Sequence, residues 1–384
     1  MQTFVFWLSI VNLMATLVVS LRLVLGDRQI GRLLDVEPPQ DQVWPRVSVI
    51  VPARNEELHV ESALQSLLAL DYENLEITVV DDRSTDRTGE ILDRMAETHS
   101  RLRVVHVRQL PPKWLGKNYA MHCGAENSDG EWLLFTDADV MFEASVLRRA
   151  MGYVRQQQLD HLAILPEARM PTWLLQSFIV VFAIFFSLFT RLWKVRDPRS
   201  SAHIGIGAFN LVRAEAYRQV GGHEPLAMRP DDDLKLGKLL KKNGFRQDLL
   251  KGVDLLHVPW YGSLRELIVG LEKNSFAGVE YSVLVTVVAV SAILLLDVSP
   301  FVALCFTTGA TWWIYLAVSA ILLLLAWGTA IGAKIRWSCA LGFPLVTVLF
   351  VYIVLRSMVV TLKNGGIRWR DTHYPLADLR ANRV

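Results

Sequence analysis

Two carboxylates, Asp137 and Asp139, close the apolar run Trp132-Leu133-Leu134-Phe135, with one small residue between them. A short apolar run bounded by polar residues reads as a buried strand, and ligands of open α/β sheets gather at the carboxyl ends of such strands. Two acids at one strand end are costly to hold together without a positive partner. A divalent cation is the economical one, because Mg2+ takes oxygen ligands, one or two protein carboxylates and the phosphate oxygens of a substrate. The pattern D-x-D asks for a metal carrying a phosphorylated ligand, although taken alone it is equally the pattern of a solvated turn.

Three more polar clusters share that placement. Pro52-Ala53-Arg54-Asn55-Glu56-Glu57 and Asp81-Asp82-Arg83-Ser84-Thr85-Asp86 follow β-branched runs, and Leu115-Gly116-Lys117 opens a helical pattern. Each alone is a loop with capping acids, which is the plainer reading for Glu57 and Asp86. Together they offer acceptors for a base and ribose, a cation for a phosphate, and a metal site.

The elements that must position these groups alternate. Arg46–Val51, Leu75–Val80, Leu102–Val107, Trp132–Thr136 and Ala208–Arg213 read as strands. Glu57–Leu70, Asp86–Thr98 with Asp86 as N-cap, Lys117–Asn127, and Asp232–Asn243 with Gly244 at its end read as helices. Strands alternating with helices imply an α/β domain with a mostly parallel sheet.

The 384 residues are 52% hydrophobic with net charge +2, and mean hydropathy is +0.29. No basic stripe with interleaved aromatics occurs, so nucleic acid is not an expected partner. Cys123, Cys305 and Cys339 are far apart and lack metal-ligand or disulfide spacing. Phe4–Leu25 is long enough to span a bilayer, and Arg22, Arg28 and Arg32 place its C-terminal end in the cytoplasm. Glu37-Pro38-Pro39-Gln40-Asp41 reads as a linker. Thr172–Leu192 is apolar and aromatic but interrupts the α/β pattern; one crossing there would split the domain across the membrane, so an interfacial or re-entrant helix is expected. From Tyr281 to Leu362 the chain reads as three spans. The basic clusters Lys334/Arg336 and Lys363/Arg368/Arg370 both favour the cytoplasmic side, which three spans cannot satisfy.

Other nucleotide motifs fail. Pro111 and Asn118 break a P-loop pattern around Gly116-Lys117, and Asn210 stands where Gly205-Ile206-Gly207 needs a third glycine. His122, His203, His223 and His257 form no zinc-ligand pair, so each reads as a surface or core histidine.

In their order and spacing the PARNEE run, the DDRSTDRT run, the Gly116-Lys117 step, the DAD triplet and Asp232-Asp233 before Leu236-Gly237 resemble the family 2 glycosyltransferases of GT-A fold. The resemblance covers about Val47–Gly278. The membrane layout, Gly270–Gly278 and Trp369-Arg370-Asp371-Thr372 look like ceramide glucosyltransferases and hopanoid- or carotenoid-associated glycosyltransferases. It implies that Pro52, Ala53, Glu56 and Asp82 hold the nucleoside, that Lys117 and Asp137 meet the nucleotide, and that Asp139 holds the metal beside Asp137. It also implies Mg2+ or Mn2+, a nucleotide-diphospho-sugar donor (a UDP-sugar favoured), and inversion with one carboxylate as base. Counting back from Leu236-Gly237 puts the acid pair at Asp232-Asp233 and the base at Asp233, with Asp232 in reserve. Three neighbouring acids, Asp231 to Asp233, cannot all ionise freely, which raises at least one pKa toward that of a useful base. The Q/R-x-x-R-W motif of processive synthases is missing, since Ala333 and Gly365 hold the leading positions before Arg336-Trp337 and Arg368-Trp369, and Lys273-Asn274 stands in that region.

The expected protein is a multi-pass cell-membrane enzyme. Residues 1–43 would be anchor and linker, 44–278 a cytoplasmic GT-A domain, 279–363 transmembrane helices and 364–384 a polar tail. It would move one sugar from a nucleotide-diphospho-sugar to a membrane lipid. A processive polysaccharide synthase and a non-enzymatic transporter or scaffold are the alternatives.

Overall fold

The computed structural model describes residues 2–38, 43–370 and 372–384; Pro39–Asp41 of the expected linker and Asp371 of the tail motif lie outside them. The chain forms two compact units, neither contiguous in sequence. One gathers residues 30–168, 192–259 and 381–384, and the other residues 1–29, 169–191 and 260–380.

The first unit is built on an eight-stranded sheet. Its strands are β1 (Gly31–Arg32), β2 (Val47–Ala53), β3 (Leu75–Asp82), β4 (Leu102–Val107), β5 (Trp132–Phe135), β7 (His161–Leu165), β9 (Asn210–Arg213) and β10 (Gln247–Lys251). The short strands β6 (Met141–Phe142), β8 (Glu167–Arg169) and β11 (Leu256–Pro259) make a second sheet. The large sheet runs β1-β10-β7-β9-β5-β2-β3-β4. Every described pairing is parallel except those of β9, which lies antiparallel between β5 and β7. The parallel strands carry the near-continuous apolar runs of a sheet buried on both faces; Val47, Val49, Ile50 and Val51 are all inaccessible or nearly so. Its helices are α2 (Val60–Leu68), α3 (Thr88–Thr98), α4 (Gly116–Glu126), α5 (Val146–Gln157), α7 (Ala214–Gln219) and α8 (Asp232–Lys242). Their apolar stripes, such as Val60, Ala63, Leu64 and Leu67 on α2, face the sheet.

Several boundaries differ from those expected: α2 starts at Val60 rather than Glu57, β3 runs on to Asp82, and β9 starts at Asn210. Strand β2 runs through Pro52 to Ala53, paired with Asp81 on β3. Helix α3 starts at Thr88 rather than Asp86, whose carboxylate accepts the amides of Thr88 (3.0 Å) and of Glu57 (3.2 Å). The acid ties two loops together instead of capping one helix. Gly244, at φ +81, ends α8 as expected, in the left-handed position that follows a helix.

The second unit is helical. Among the described residues five helices are long and apolar enough to cross a membrane by length and composition: Thr3–Asp27, Trp173–Lys194, Val283–Ala303, Gly309–Gly332 and Trp337–Lys363. They contain α1 (Gln2–Asp27), α6 (Trp173–Thr190), α10 (Val283–Ile293), α11 (Ser299–Ala303), α12 (Gly309–Gly332) and α13 (Phe343–Lys363); α9 (Leu264–Gly278) precedes α10. A π-turn at Leu294–Val298 joins α10 to α11. The carbonyl of Leu295 takes a bond from Asn12 of α1 (3.0 Å). Helix α6 is continuous, carries no charged residue from Trp173 to Thr190, and packs on α12 and α13. A hairpin of β12 (Gly366–Trp369) and β13 (Thr372–Pro375) and the short α14 (Leu376–Ala381) follow.

Candidate active site

Because β2, β3 and β5 are parallel neighbours, their carboxyl ends share one edge of the sheet. Pro52 and Ala53 end β2, Asp81 and Asp82 end β3, and Asp137 follows β5 by two residues. From β2 the chain proceeds to β3 on one side while β5 lies on the other, which creates a crevice at the strand ends. All four polar clusters singled out from sequence meet on that edge.

The loops after β2 and β3 are interlocked. Asn55 accepts the Thr85 amide (2.8 Å) and donates its own to Ser84 Oγ (3.0 Å), while the Glu56 amide reaches Thr88 Oγ1 (2.8 Å). Arg83 lies in the left-handed region at φ +57, a conformation that costs a non-glycine residue energy. Its guanidinium grips Asp82 through two bonds, 2.7 and 3.2 Å, and Arg54 stands 3.7 Å from the same carboxylate.

Lys117, in the first turn of α4, meets Asp137 Oδ1 at 2.5 Å. Burial works against the Lys117 ammonium, but Asp137, Asp232 and Asp233 outweigh it and raise its pKa. Asp139 is different: burial first, then Asp137 and Glu56, push its carboxyl up to about 7. Among the described residues no three His, Cys, Asp or Glu side chains form a ready metal cage. Yet Asp139, Asp137 and Glu56 bring hard oxygens together with repulsion left over, which is what a Mg2+ or Mn2+ site completed by phosphate and water requires. The oxygen chemistry of these residues fits such an ion.

The three acids at the start of α8, Asp231 before it and Asp232 and Asp233 in its first turn, occupy three different environments. Asp231 is buried in a two-bond pair with Arg229 (2.9 Å each), itself 1% exposed, and lies 3.5 Å from Lys235. That carboxylate is committed to holding the chain. Asp232 is buried 4.0 Å from His223 Nε2. Burial, chiefly, together with Asp233, Asp137 and Asp231, pushes Asp232 up to about 7 against the pull of Lys117. Asp233 is also raised by burial, again opposed by Lys117 and by the amide of Leu234.

Asp233 is aimed by backbone. Its Oδ2 accepts the Gly207 amide (2.8 Å) and its Oδ1 the Leu234 amide (2.8 Å). The carbonyl of Gly207 in turn accepts the Asp137 amide (3.1 Å). One peptide thus joins the D-x-D strand end to the acid helix. The approach needs glycine: a Cβ on Gly237 would overlap the Ile204 carbonyl, and one on Gly205 the Asp233 carbonyl. Gln247 fixes this loop from below, donating to the Gly237 carbonyl (2.8 Å) and accepting from Ile204 (3.1 Å).

Sequence reading missed the Gly205-Ile206-Gly207 loop, which it set aside as a failed dinucleotide motif, and Arg229. A signal existed for both, since paired glycines before a strand and a lone arginine before three acids are pattern features. Asn118, considered only as a broken P-loop position, donates to the carbonyls of Leu226 (2.5 Å) and Arg229 (2.9 Å) and so holds the loop that leads into the acids.

Comparison with known proteins agrees with this architecture. Residues 48–221 match the family model Glycosyl transferase family 2. A 4,4'-diaponeurosporenoate glycosyltransferase of Staphylococcus aureus is 23% identical over 346 residues, 86% of this chain and 88% of that protein. The beta-monoglucosyldiacylglycerol synthase of Synechocystis is 35% identical over 112 residues, 29% of this chain and 23% of the other. For several curated relatives the match thus spans well under two thirds of their length. A mannosyltransferase of Pyrobaculum calidifontis, solved with GDP-Man and Mn2+, superposes with TM-score 0.56 at 19% identity over 93% of this chain and 98% of that one. The fold is GT-A-like.

Proposed function

Because the chain carries a Glycosyl transferase family 2 domain, we propose that it is a membrane-bound inverting glycosyltransferase that adds one sugar to a lipid from a nucleotide-diphospho-sugar. The observation that carries this reading is the Gly207 peptide, which links Asp137 to Asp233 across one sheet edge.

In this reading the nucleoside lies against Pro52, Ala53 and Glu56, with Asp82 held ready by Arg83 and Arg54. UDP is the favoured nucleotide. Lys117 meets the diphosphate and offsets its charge. Asp139, with Asp137, would hold Mg2+ or Mn2+, which supplies Lewis-acid neutralisation of the departing diphosphate. Asp233 accepts the proton of an acceptor hydroxyl as that oxygen bonds to the anomeric carbon. The bond from that carbon to the diphosphate breaks on the opposite face, so the configuration inverts. The raised pKa of the Asp232-Asp233 pair suits a group that must take a proton near neutral pH.

A lipid acceptor is supported by the five apolar helices and by relatives named for diaponeurosporenoate and diacylglycerol products. Arg22 near the end of the first helix and Arg28 and Arg32 after it support a catalytic domain on the cytoplasmic side. The reading is tested with protein in lipid vesicles, a labelled UDP-sugar and a total lipid extract. Labelled lipid from wild type, and none from Asp233→Asn, is expected; labelled lipid from Asp233→Asn at the wild-type rate contradicts it.

A further inference from the structure

The last described residues fold back onto the loop that leads into the acids. Asn382 donates through Nδ2 to the Pro225 carbonyl (3.0 Å) and accepts the Met228 amide at Oδ1 (3.1 Å), contacts that reach across 157 and 154 residues of sequence. One primary amide thus bridges a carbonyl and an N–H three residues apart, using both its donor and its acceptor. Two residues on, Val384 packs against the buried cluster that includes Leu226, Leu236 and Leu240. Its carbonyl accepts from Lys238 Nζ on α8 (2.6 Å).

The loop held in this way joins the cation of the site to its acids. The Ala227 carbonyl accepts the Leu115 amide (2.7 Å), directly before the Gly116-Lys117 step. Asn118, directly after that step, donates to the carbonyls of Leu226 and Arg229. The Leu226 carbonyl also accepts the Arg229 amide (2.8 Å), and Arg229 carries the two-bond pair with Asp231, next to Asp232 and Asp233. Residues 226, 227 and 229 are therefore tied to α4 or to each other. Met228 is not. It is 5% exposed, and among the described residues no backbone carbonyl takes its amide. Asn382 supplies the acceptor that such an N–H requires.

We propose that Asn382 is a positioning residue: by holding Pro225 and Met228 it sets the distance between Lys117 and the Asp232-Asp233 pair. This rests on Asp233 as the base. Without Asn382 the Met228 amide loses its partner, and the freedom gained by residues 228–231 reaches the carboxylates through the chain. The residues assigned to nucleoside and metal, Pro52, Ala53, Glu56, Asp82 and Asp139, stand at or just beyond the ends of β2, β3 and β5 and keep their own bonds. Transfer should therefore suffer while donor binding does not. Misplacing a reacting group by about an ångström costs up to about 10²-fold in rate.

The test uses full-length protein in lipid vesicles, UDP-glucose or GDP-mannose as donor (whichever wild type turns over) and total membrane lipid as acceptor. Rate is expressed per site that binds the matching nucleotide, so that unfolded protein does not count. Asn382→Leu, close in size but without hydrogen bonds, should lose about 10- to 100-fold in kcat per site with donor KM unchanged. Asn382→Asp keeps the acceptor for the Met228 amide and should recover part of that loss. Added to Asp233→Asn, Asn382→Leu should slow transfer no further, because a positioning residue acts through the group it positions. An unchanged rate per site, no recovery in Asn382→Asp, or a further loss on top of Asp233→Asn overturns the proposal. Amide hydrogen exchange gives an answer independent of turnover. The peptide that holds Met228 should exchange about tenfold faster in Asn382→Leu while those of β2, β3 and β5 stay as in wild type. Equal exchange at Met228 in both proteins overturns the proposal. If Asp233→Asn retains transfer, the base assignment itself fails. If Asp233→Asn is inactive while Asn382→Leu matches wild type per site, only this inference fails.

Discussion

At the scale of the residue, the three consecutive acids show how position in a fold divides identical side chains into different tasks. Asp231 is neutralised by Arg229 and Lys235, Asp232 faces a histidine, and Asp233 is oriented by two amides. Asp233→Asn should keep the shape and lose about 10²–10⁴-fold in transfer rate, the usual contribution of a general base. Donor binding should change little, which equilibrium titration with the nucleotide sugar checks. Asp232→Asn as the inactive variant, with Asp233→Asn active, would place the base one residue earlier. Since a base works only when ionised, rate should rise with pH through the raised pKa of the pair. The acid limb is expected above the ordinary carboxylate range near 4, because burial raises Asp233. A limb near pH 4 contradicts this. Asp139 gives a second test at this scale: turnover should stop in excess chelator, return with Mg2+ or Mn2+, and collapse in Asp139→Asn. Full turnover in chelator would remove the ion from the mechanism.

At the scale of the element, the strand ends were legible and the loop that joins them was not. Apolar runs broken by Pro52, Asp81 and Asp137 announce strands with polar carboxyl ends, and parallel pairing alone brings those ends together. What periodicity does not carry is contact between a loop and a helix distant in sequence. Gly205 and Gly237 are 32 residues apart, and their need for glycine appears only when the Ile204 carbonyl lies against α8. A lone arginine before three acids was visible as a pattern, but charge along a sequence does not reveal that the Arg229–Asp231 pair is buried. Its worth is open to measurement. Asp231→Ala leaves the Arg229 guanidinium without its carboxylate and should cost about 3–5 kcal/mol in unfolding free energy. Asp233→Asn should leave the melting temperature within a few degrees. Equal melting of Asp231→Ala and wild type would deny Asp231 its structural role.

At the scale of the whole molecule, connectivity supports one membrane layout over another. Strand β9 follows α6 in the chain but pairs with β5 and β7, which precede it. Both ends of α6 therefore lead back to the sheet-bearing unit, and we propose that α6 enters and leaves the membrane on one face despite its sufficient length. The expectation of three crossings between Tyr281 and Leu362 meets a similar constraint. Asn382 bonds the Met228 amide (3.1 Å) and the Pro225 carbonyl (3.0 Å), so the end of the described chain belongs to the sheet-bearing unit. On this proposal residues 260–380 are expected to cross an even number of times, although they hold three apolar helices of sufficient length. An even count allows both basic clusters to lie on the side of the catalytic unit, provided the two crossings precede Lys334. Single cysteines at Ser100 and Arg383, in a chain freed of its own three, should be labelled from the same face of sealed vesicles. Labelling from opposite faces contradicts the even count.

The central claim is that one sugar is transferred to a lipid, and the product itself tests it most directly. Protein in lipid vesicles is supplied with labelled UDP-sugar and total lipid extract, and the label is followed by solvent partition and mass spectrometry. The expected result is a chloroform-soluble species heavier than its parent lipid by one sugar, dependent on Asp233 and on a divalent cation. Label in a water-soluble polymer of high mass would contradict the claim and favour a processive synthase instead.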